Sequence, residues 1–223
     1  MQSVSNSTRT KRVSAGVAAV CATALTAGAM VAGPEVSASP AGPAAAKSVT
    51  LAKKGIKYKC KATSDLVNQI VGGPQQFLID GSGKFSGTFK PGSKITTKGI
   101  KLTLVLPKKL VKKVRKKLGV KKVKGSADVK FDVKSNKGTD KMKVSGLKSS
   151  WRKVPKKGVM RIPVDGTANK YKIAKGVKKL SLLAPKKFKI HAFLRPPVAG
   201  AVNKTDLNCT FNGKGRTLGK FPV

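Results

Sequence analysis

Apolar and polar residues alternate along most of the chain. In Ile56-Lys57-Tyr58-Lys59-Cys60 the apolar residues share one parity and lysine takes the other, and Ile100-Lys101-Leu102-Thr103-Leu104-Val105-Leu106 begins in the same way. Ala127–Lys134 alternates strictly, Met142-Lys143-Val144 repeats the pattern, and in Leu207-Asn208-Cys209-Thr210-Phe211 the cysteine falls on the apolar side. In Lys187–Leu194, Phe188, Ile190, Ala192 and Leu194 share one parity, while Lys187, Lys189, His191 and Phe193 share the other. A period of two marks half-buried strands, whose successive side chains point to opposite faces. Turn-forming clusters separate these runs at Gly81-Ser82-Gly83, Pro91-Gly92-Ser93, Asn136-Lys137-Gly138, Pro155-Lys156-Lys157-Gly158 and Ala184-Pro185. Short strands at this spacing predict an all-β antiparallel domain, a sandwich of two sheets in preference to a barrel.

Two stretches break the alternation. Ser64–Val71 carries Leu66, Val67, Ile70 and Val71 at helical spacing and predicts a turn of helix. The second is PKKLVKKVRKKLGVKKVKG, residues 107–125, with nine lysines, Arg115 and no acid. Leu110, Val111, Val114 and Leu118 form one apolar stripe, Pro107 suits the helix start, and Gly119 suits the stop. The expectation is a short amphipathic helix of about three turns, docked on the core with a cationic back. From Val120 the period returns to two. A membrane-lying helix would carry bulky aromatics on its apolar face, and this one has only Leu and Val.

The first segment stands apart. Arg9, Lys11 and Arg12 precede the uncharged run Val13–Gly33, and small-residue cleavage candidates follow at Val36-Ser37-Ala38 and Ala44-Ala45-Ala46. That order reads as a secretory signal peptide over 1–38, with an uncleaved anchor as the alternative. Cys21 follows Val20, where a lipid-attachment motif needs a small residue. Residues 39–54, rich in Pro, Ala, Ser and Lys, read as a linker, leaving 55–223 as a single domain with no membrane span after processing.

Charge then dominates. The chain has 48 Lys plus Arg against 8 Asp plus Glu, a formal net of +40. Removing Arg9, Lys11, Arg12 and Glu35 takes away three positive charges and one negative, leaving +38 on the domain. Lysine is the usual outward residue of the strands, so the charge covers the solvent face and spares the core. Such a surface draws polyanions. Arginine is scarce and aromatic stacking platforms are few, which disfavours specific nucleic-acid reading. The densest cationic group, and the candidate polyanion-binding set, is Lys108, Lys109, Lys112, Lys113, Arg115, Lys116, Lys117, Lys121, Lys122 and Lys124.

Catalytic chemistry finds little purchase. His191 is the single histidine and sits in an alternating run, where an exposed or half-exposed structural role is the simpler reading. There is no G-x-S-x-G elbow and no C-x-x-C, and seven scattered Asp point to no acid pair. No catalytic residue, metal site or cofactor is expected. Trp151, between Ser150 and Arg152, reads as a core or edge-packing aromatic before a surface stacking one. Cys60 and Cys209 open and close the domain; in an exported protein an isolated pair reads first as a disulfide, with free thiols or a metal site as poorer alternatives.

Tyr58-x-Cys60, the near-terminal Cys209, the strand ending at Pro107 with Leu118-Gly119-Val120, and Val123-x-Gly125-Ser126-Ala127 resemble a domain of unknown function found in secreted actinobacterial proteins. Val154-Pro155, Gly158, Arg161-Ile162-Pro163 and the Asp165-Gly166-Thr167 turn are similar too. The resemblance covers about 55–223. It implies a secreted immunoglobulin-like β-sandwich with a terminal-strand disulfide, and it implies no activity. Lysine here occupies many positions that are neutral or acidic in such domains. The functional expectation is a non-enzymatic, secreted or wall-associated protein that binds anionic cell-wall or surface polymers by distributed charge. The alternatives are a hydrolase of acidic polysaccharide and a structural or adhesive domain without a specific ligand.

Overall fold

The computed structural model describes residues 47–223. The expected signal peptide at 1–38, Cys21, and 39–46 of the expected linker lie outside the described residues. The rest of that linker is strand. β1 runs Lys47–Ala62, and its first half pairs with Gly81–Gly87. Val49 and Leu51 supply the alternation there, half-buried between the exposed Ser48, Thr50 and Ala52.

Eleven further strands follow: β2 (Gln75–Gly87), β3 (Lys94–Leu106), β4 (Lys122–Ser135), β5 (Gly138–Lys148), β6 (Arg152–Lys153), β7 (Met160–Ala168), β8 (Tyr171–Lys172), β9 (Leu180–Leu183), β10 (Lys187–Val198), β11 (Val202–Phe211) and β12 (Thr217–Phe221). The long strands hydrogen-bond in the order β10-β11-β1-β2-β3-β7-β5-β4, every pair antiparallel. β10 then pairs back onto β4, from Lys189↔Asp128 to Arg195↔Lys122. The sheet therefore closes into an eight-stranded barrel.

This overturns the expected immunoglobulin-like sandwich. Alternation reports one buried face per strand and is the same whether that face meets a second sheet or the inside of a ring. Local irregularities favour the ring. Register shifts fall at Lys53/Ile56, Gly83/Lys84, Ser126/Val129 and Ser145/Lys148, and each bulge adds bend and twist to a long strand. At the closing pair, Gly125 is required by close approach: a Cβ there would lie 2.9 Å from the His191 carbonyl oxygen.

Two turn assignments also fail. Gly81-Ser82-Gly83 lies mid-strand in β2, and Asp165-Gly166-Thr167 lies inside β7. In both, glycine serves packing, not chain reversal. A Cβ on Gly166 would sit 2.7 Å from Leu147 Cδ2. By contrast, Asn136-Lys137 makes the β4–β5 hairpin, as expected.

One end of the barrel is plugged by helices. α1 (Asp65–Val71) starts where the Ser64 side chain accepts from the Val67 N–H, and stops at Gly72, left-handed with φ 76°. Val67 and Val71 point into the barrel core, and the Asn68 side chain bonds both the N–H and the C=O of Ala62. α2 (Lys108–Lys112) buries Leu110 and Val111, then widens into a π-helical turn over Lys113–Lys117 that buries Val114. The expected stripe, Leu110, Val111, Val114 and Leu118, is thus wholly inward, and Gly119 ends the segment with φ 69°. The difference is that the three turns are not one regular α-helix: Leu118 N–H bonds back to the Lys113 carbonyl. Lys108 and Lys109 stand at the positive end of the helix dipole, so apolar docking holds this helix against its own electrostatics.

At the other end, β9 pairs with the second half of β4, and β12 pairs with β9. Asp132 anchors this ribbon. Its carboxylate is buried, accepts from Arg216 Nη1 at 2.5 Å and pairs with Lys141 Nζ, while Arg216 also donates to the Ala184 carbonyl at 2.8 Å. Burial alone would raise its pKa; the hydrogen bonds from Arg216 and Lys141 outweigh this and hold it below the usual carboxylate range. Cys60 and Cys209 face each other across β1 and β11 and form a disulfide inside the barrel, as expected. It closes a loop with a sequence separation of 149 residues, for which the chain-entropy model gives about 5 kcal/mol.

Inside the ring lies a cavity of about 190 Å³, bounded almost entirely by carbon. Ile79, Leu102, Leu104, Val164 and Leu207 have inward parity yet are only half-buried, because they border this space.

Replacing Asp132 by Asn should lower unfolding free energy by about 3 kcal/mol in urea titrations, since Arg216 is left without its counter-charge in a largely buried site. A loss under about 0.5 kcal/mol, the scale of an exposed ion pair, would show that Asp132 is not the anchor.

Candidate functional site: the cationic seam

The β4–β10 closure also organises the outer surface. On β4, Val123 and Ala127 pack into the core while Lys122 and Asp128 are exposed, so by alternation Gly125 shares the inward face and Lys124 and Ser126 the outward one. Their partners on β10 and β11 complete a ladder of rows. Lys122 lies between Lys153 of β6 and Arg195 of β10, so three cations stand abreast. The next row is Lys124, Phe193 and Lys204; then come Ser126, His191 and Asp206, followed by Asp128, Lys189 and Asn208.

The second row is a cation–aromatic stack. Lys124 Nζ lies 5.1 Å from the ring centroids of both Trp151 and Phe193. The Arg195 guanidinium lies 5.1 Å from the Trp151 centroid, and Lys204 Nζ 5.8 Å from that of Phe193. Each is within reach of the ring quadrupole. Trp151 is half-buried beside β6, with Lys124 and Arg195 packed over its ring.

The third row is a hydrogen-bonded clamp. His191 Nδ1 contacts Asp206 Oδ1 at 2.7 Å, and Nε2 contacts Asp128 Oδ2 at 3.1 Å. Hydrogen bonding to Asp128, then to Asp206, raises the His191 pKa, with burial opposing weakly. The bond to His191 lowers that of Asp206. The clamp joins β4, β10 and β11 on the outside, opposite the disulfide-bearing interior.

The ten candidate polyanion-binding residues divide. Lys108, Lys109, Lys112, Lys116, Lys117, Lys121 and Lys122 are exposed. Three are committed to the fold. Lys113 donates to the Val71 carbonyl at 2.5 Å, Arg115 donates to the Val154 carbonyl at 2.7 Å, and Lys124 lies over the two rings. The Arg115 bond, with Val154 N–H to Lys121 C=O and Lys121 N–H to Arg195 C=O, sets the helix beside the cationic row. Lys153, Arg195 and Lys204, which no local pattern singled out, join the same surface. They become neighbours only through strand pairing.

Lysine also faces lysine elsewhere. Lys84↔Lys98, Lys94↔Lys172 and Lys130↔Lys143 are directly opposed across strands, in addition to Lys122 with Lys153 and Arg195. Like charges in register destabilise a sheet. A second groove gathers Lys130, Lys141, Lys143, Lys186 and Lys187 beside Asp128. The few acids are mostly engaged within the fold: besides Asp128, Asp132 and Asp206, Asp80 bonds Gly55 N–H and Arg161, and Asp140 accepts from Tyr171. The Gly55 bond, with Arg161 added, lowers the Asp80 pKa, while burial and then Asp140 push Tyr171 up to about 12. Among the described residues no group of three or more His, Cys, Asp or Glu is placed to hold a metal, and no helix is long and apolar enough to cross a membrane.

The His191 clamp gives stability a definite slope with pH. Its folded pKa lies above the unfolded value, so its contribution is complete below about pH 6.5 and is lost as pH rises through the folded pKa. Unfolding midpoints in urea should fall between pH 6 and 9, and His191→Gln should flatten that fall. An unchanged slope in the variant would show that the clamp does not carry it.

Comparison with curated proteins and with solved structures gives no match. The family comparison does: with residues 57–219 matched, the chain belongs to a family of unknown function, DUF6801.

Proposed function

We propose that this is a non-enzymatic, exported protein whose barrel associates electrostatically with anionic polymers of the cell envelope. The observation that carries this reading is the row Lys153–Lys122–Arg195, three cations abreast on adjacent strands with no acid among them. A folding domain gains nothing from such a row, because each pair repels and each side chain must be held apart by solvent. A chain of phosphates or carboxylates laid across it would relieve that repulsion and release its own counterions.

Lys121, next to Lys122 and bonded through its N–H to the Arg195 carbonyl, continues the positive charge toward the helix, where Lys116 and Lys117 are exposed. The recognised chemistry is repeated negative charge along a flexible polymer. Lysine makes point-charge contacts, which suit an irregular chain better than a fixed planar ligand. Trp151 sits among these cations and is the single tryptophan, so bound polymer should alter its fluorescence.

Three results are expected. Retention of the protein on isolated Gram-positive cell wall should fall steeply as salt is raised from 50 to 500 mM. Polyphosphate should change Trp151 emission with the same salt dependence. Lys122→Gln combined with Lys153→Gln should weaken both by at least fivefold while leaving thermal stability unchanged or higher. Salt-insensitive retention, or undiminished binding by the double variant, would overturn the reading.

A further inference from the structure

The cavity inside the barrel plays no part in the charge argument. An eight-stranded barrel has an interior just wide enough for its own side chains to fill, or, with smaller ones, to hold one small ligand. Here several inward positions are nearly empty: Gly81 and Gly83 on β2, Gly125 and Ala127 on β4, and Ala192 on β10. Gly125 and Ala192 are direct cross-strand partners, and Ala127 lies one inward step along β4, so small residues are clustered on the inner face of the closing seam. The resulting space is about 190 Å³. An apolar protein cavity of about 150 Å³ stays dry and accepts benzene.

Its chemistry is equally specific. A buried water needs two to four polar partners, whereas this wall is almost all carbon and its most deeply buried polar side chains are already engaged. Asn68 is bonded to Ala62 through both its amide oxygen and its nitrogen, Thr205 Oγ1 accepts from Ser64 N–H, and Tyr58 Oη donates to the Pro185 carbonyl. Among the described residues the one buried side-chain polar atom without a partner is Thr97 Oγ1, which does not border the cavity. The occupant therefore meets a wall of carbon along almost its whole length. Its shape follows from the axis: the lining runs from Val67 and Val114 of the helical plug to Leu182 and Leu218 of the β9–β12 ribbon.

We infer that the barrel interior is a binding site for one unbranched aliphatic chain of medium length. The ligand lies along the barrel axis, held by burial of its methylenes against Leu102, Leu104 and Leu207. Affinity is set inside the ring and does not depend on the lysines outside.

The test uses the full chain with its disulfide intact. The fluorescent probe is N-phenyl-1-naphthylamine and the competitor is 1-decanol, both uncharged. The expected result is one saturable probe site per chain, displaced by 1-decanol, with an affinity that changes less than twofold between 50 and 500 mM salt. Ala127→Leu combined with Ala192→Leu should reduce probe affinity at least tenfold while polyphosphate binding persists. Binding that is unsaturable, or that survives in the filled barrel, would overturn the inference. A second measurement stands apart from the variant's folding. In wild-type protein with isotope-labelled leucine methyls, 1-decanol should shift Leu102, Leu104 and Leu207 and leave the exposed Leu66 unmoved; absence of those shifts would overturn it equally.

Discussion

The β4–β10 pairing is the constraint on which the rest depends. Without it the long strands form an open sheet with two free edges and one apolar face uncovered. With it, inward parity becomes a core and outward parity becomes a continuous cationic surface. Seven registered pairs make the closure, from Lys189↔Asp128 to Arg195↔Lys122. Gly125 allows the backbones to approach, and His191 stitches the outside. The disulfide fixes the next strands round, joining β1 to β11 at directly opposed positions. Covalent closure thus lies two strands from the non-covalent one.

Repulsion among +38 charges opposes this compaction, and the acids are placed where they offset it. Asp132 ties Arg216 and Lys141, Asp80 ties Arg161, and Asp206 lies 3.7 Å from Lys189 Nζ. These residues pin the ribbon, the β2–β7 neighbourhood and the seam. None answers the row Lys153–Lys122–Arg195. The acids follow the needs of the fold, and the unanswered cations mark where the fold has no use for compensation.

How much of this was legible depends on whether a feature is local. The alternation of Ala127–Lys134 and Phe188–Leu194 gave strands with the correct inward faces, and the stripe Leu110, Val111, Val114, Leu118 gave a docked helical segment. Cys60 and Cys209 could be paired because they are two and because both fall on apolar parity. Ring closure could not be read, since it is a register between strands some sixty residues apart that share the pattern of every other strand. Gly81-Ser82-Gly83 misled for a different reason. Glycine marks a turn by its freedom and a strand interior by its missing side chain, and composition cannot separate the two. The cationic row was missed in the same way: Lys153 and Arg195 have no local signal linking them to Lys122.

The inner face poses the sharper energetic question. A packed interior would fill the space beside Ala127 and Ala192 with a leucine or two, at no cost to the strand pattern. Leaving about 190 Å³ unfilled by the chain's own side chains forfeits on the order of 4–5 kcal/mol of packing at about 24 cal/mol per Å³. That is comparable to the whole net stability of many domains, about 5–15 kcal/mol. The disulfide, with about 5 kcal/mol from unfolded-state entropy, is of the size needed to offset it. A covalently braced barrel can therefore keep an unfilled interior, and glycine and alanine at the closing seam are the residues that keep it unfilled. On this argument the brace and the void belong together: the first makes the second tolerable, and only an occupant makes the second useful.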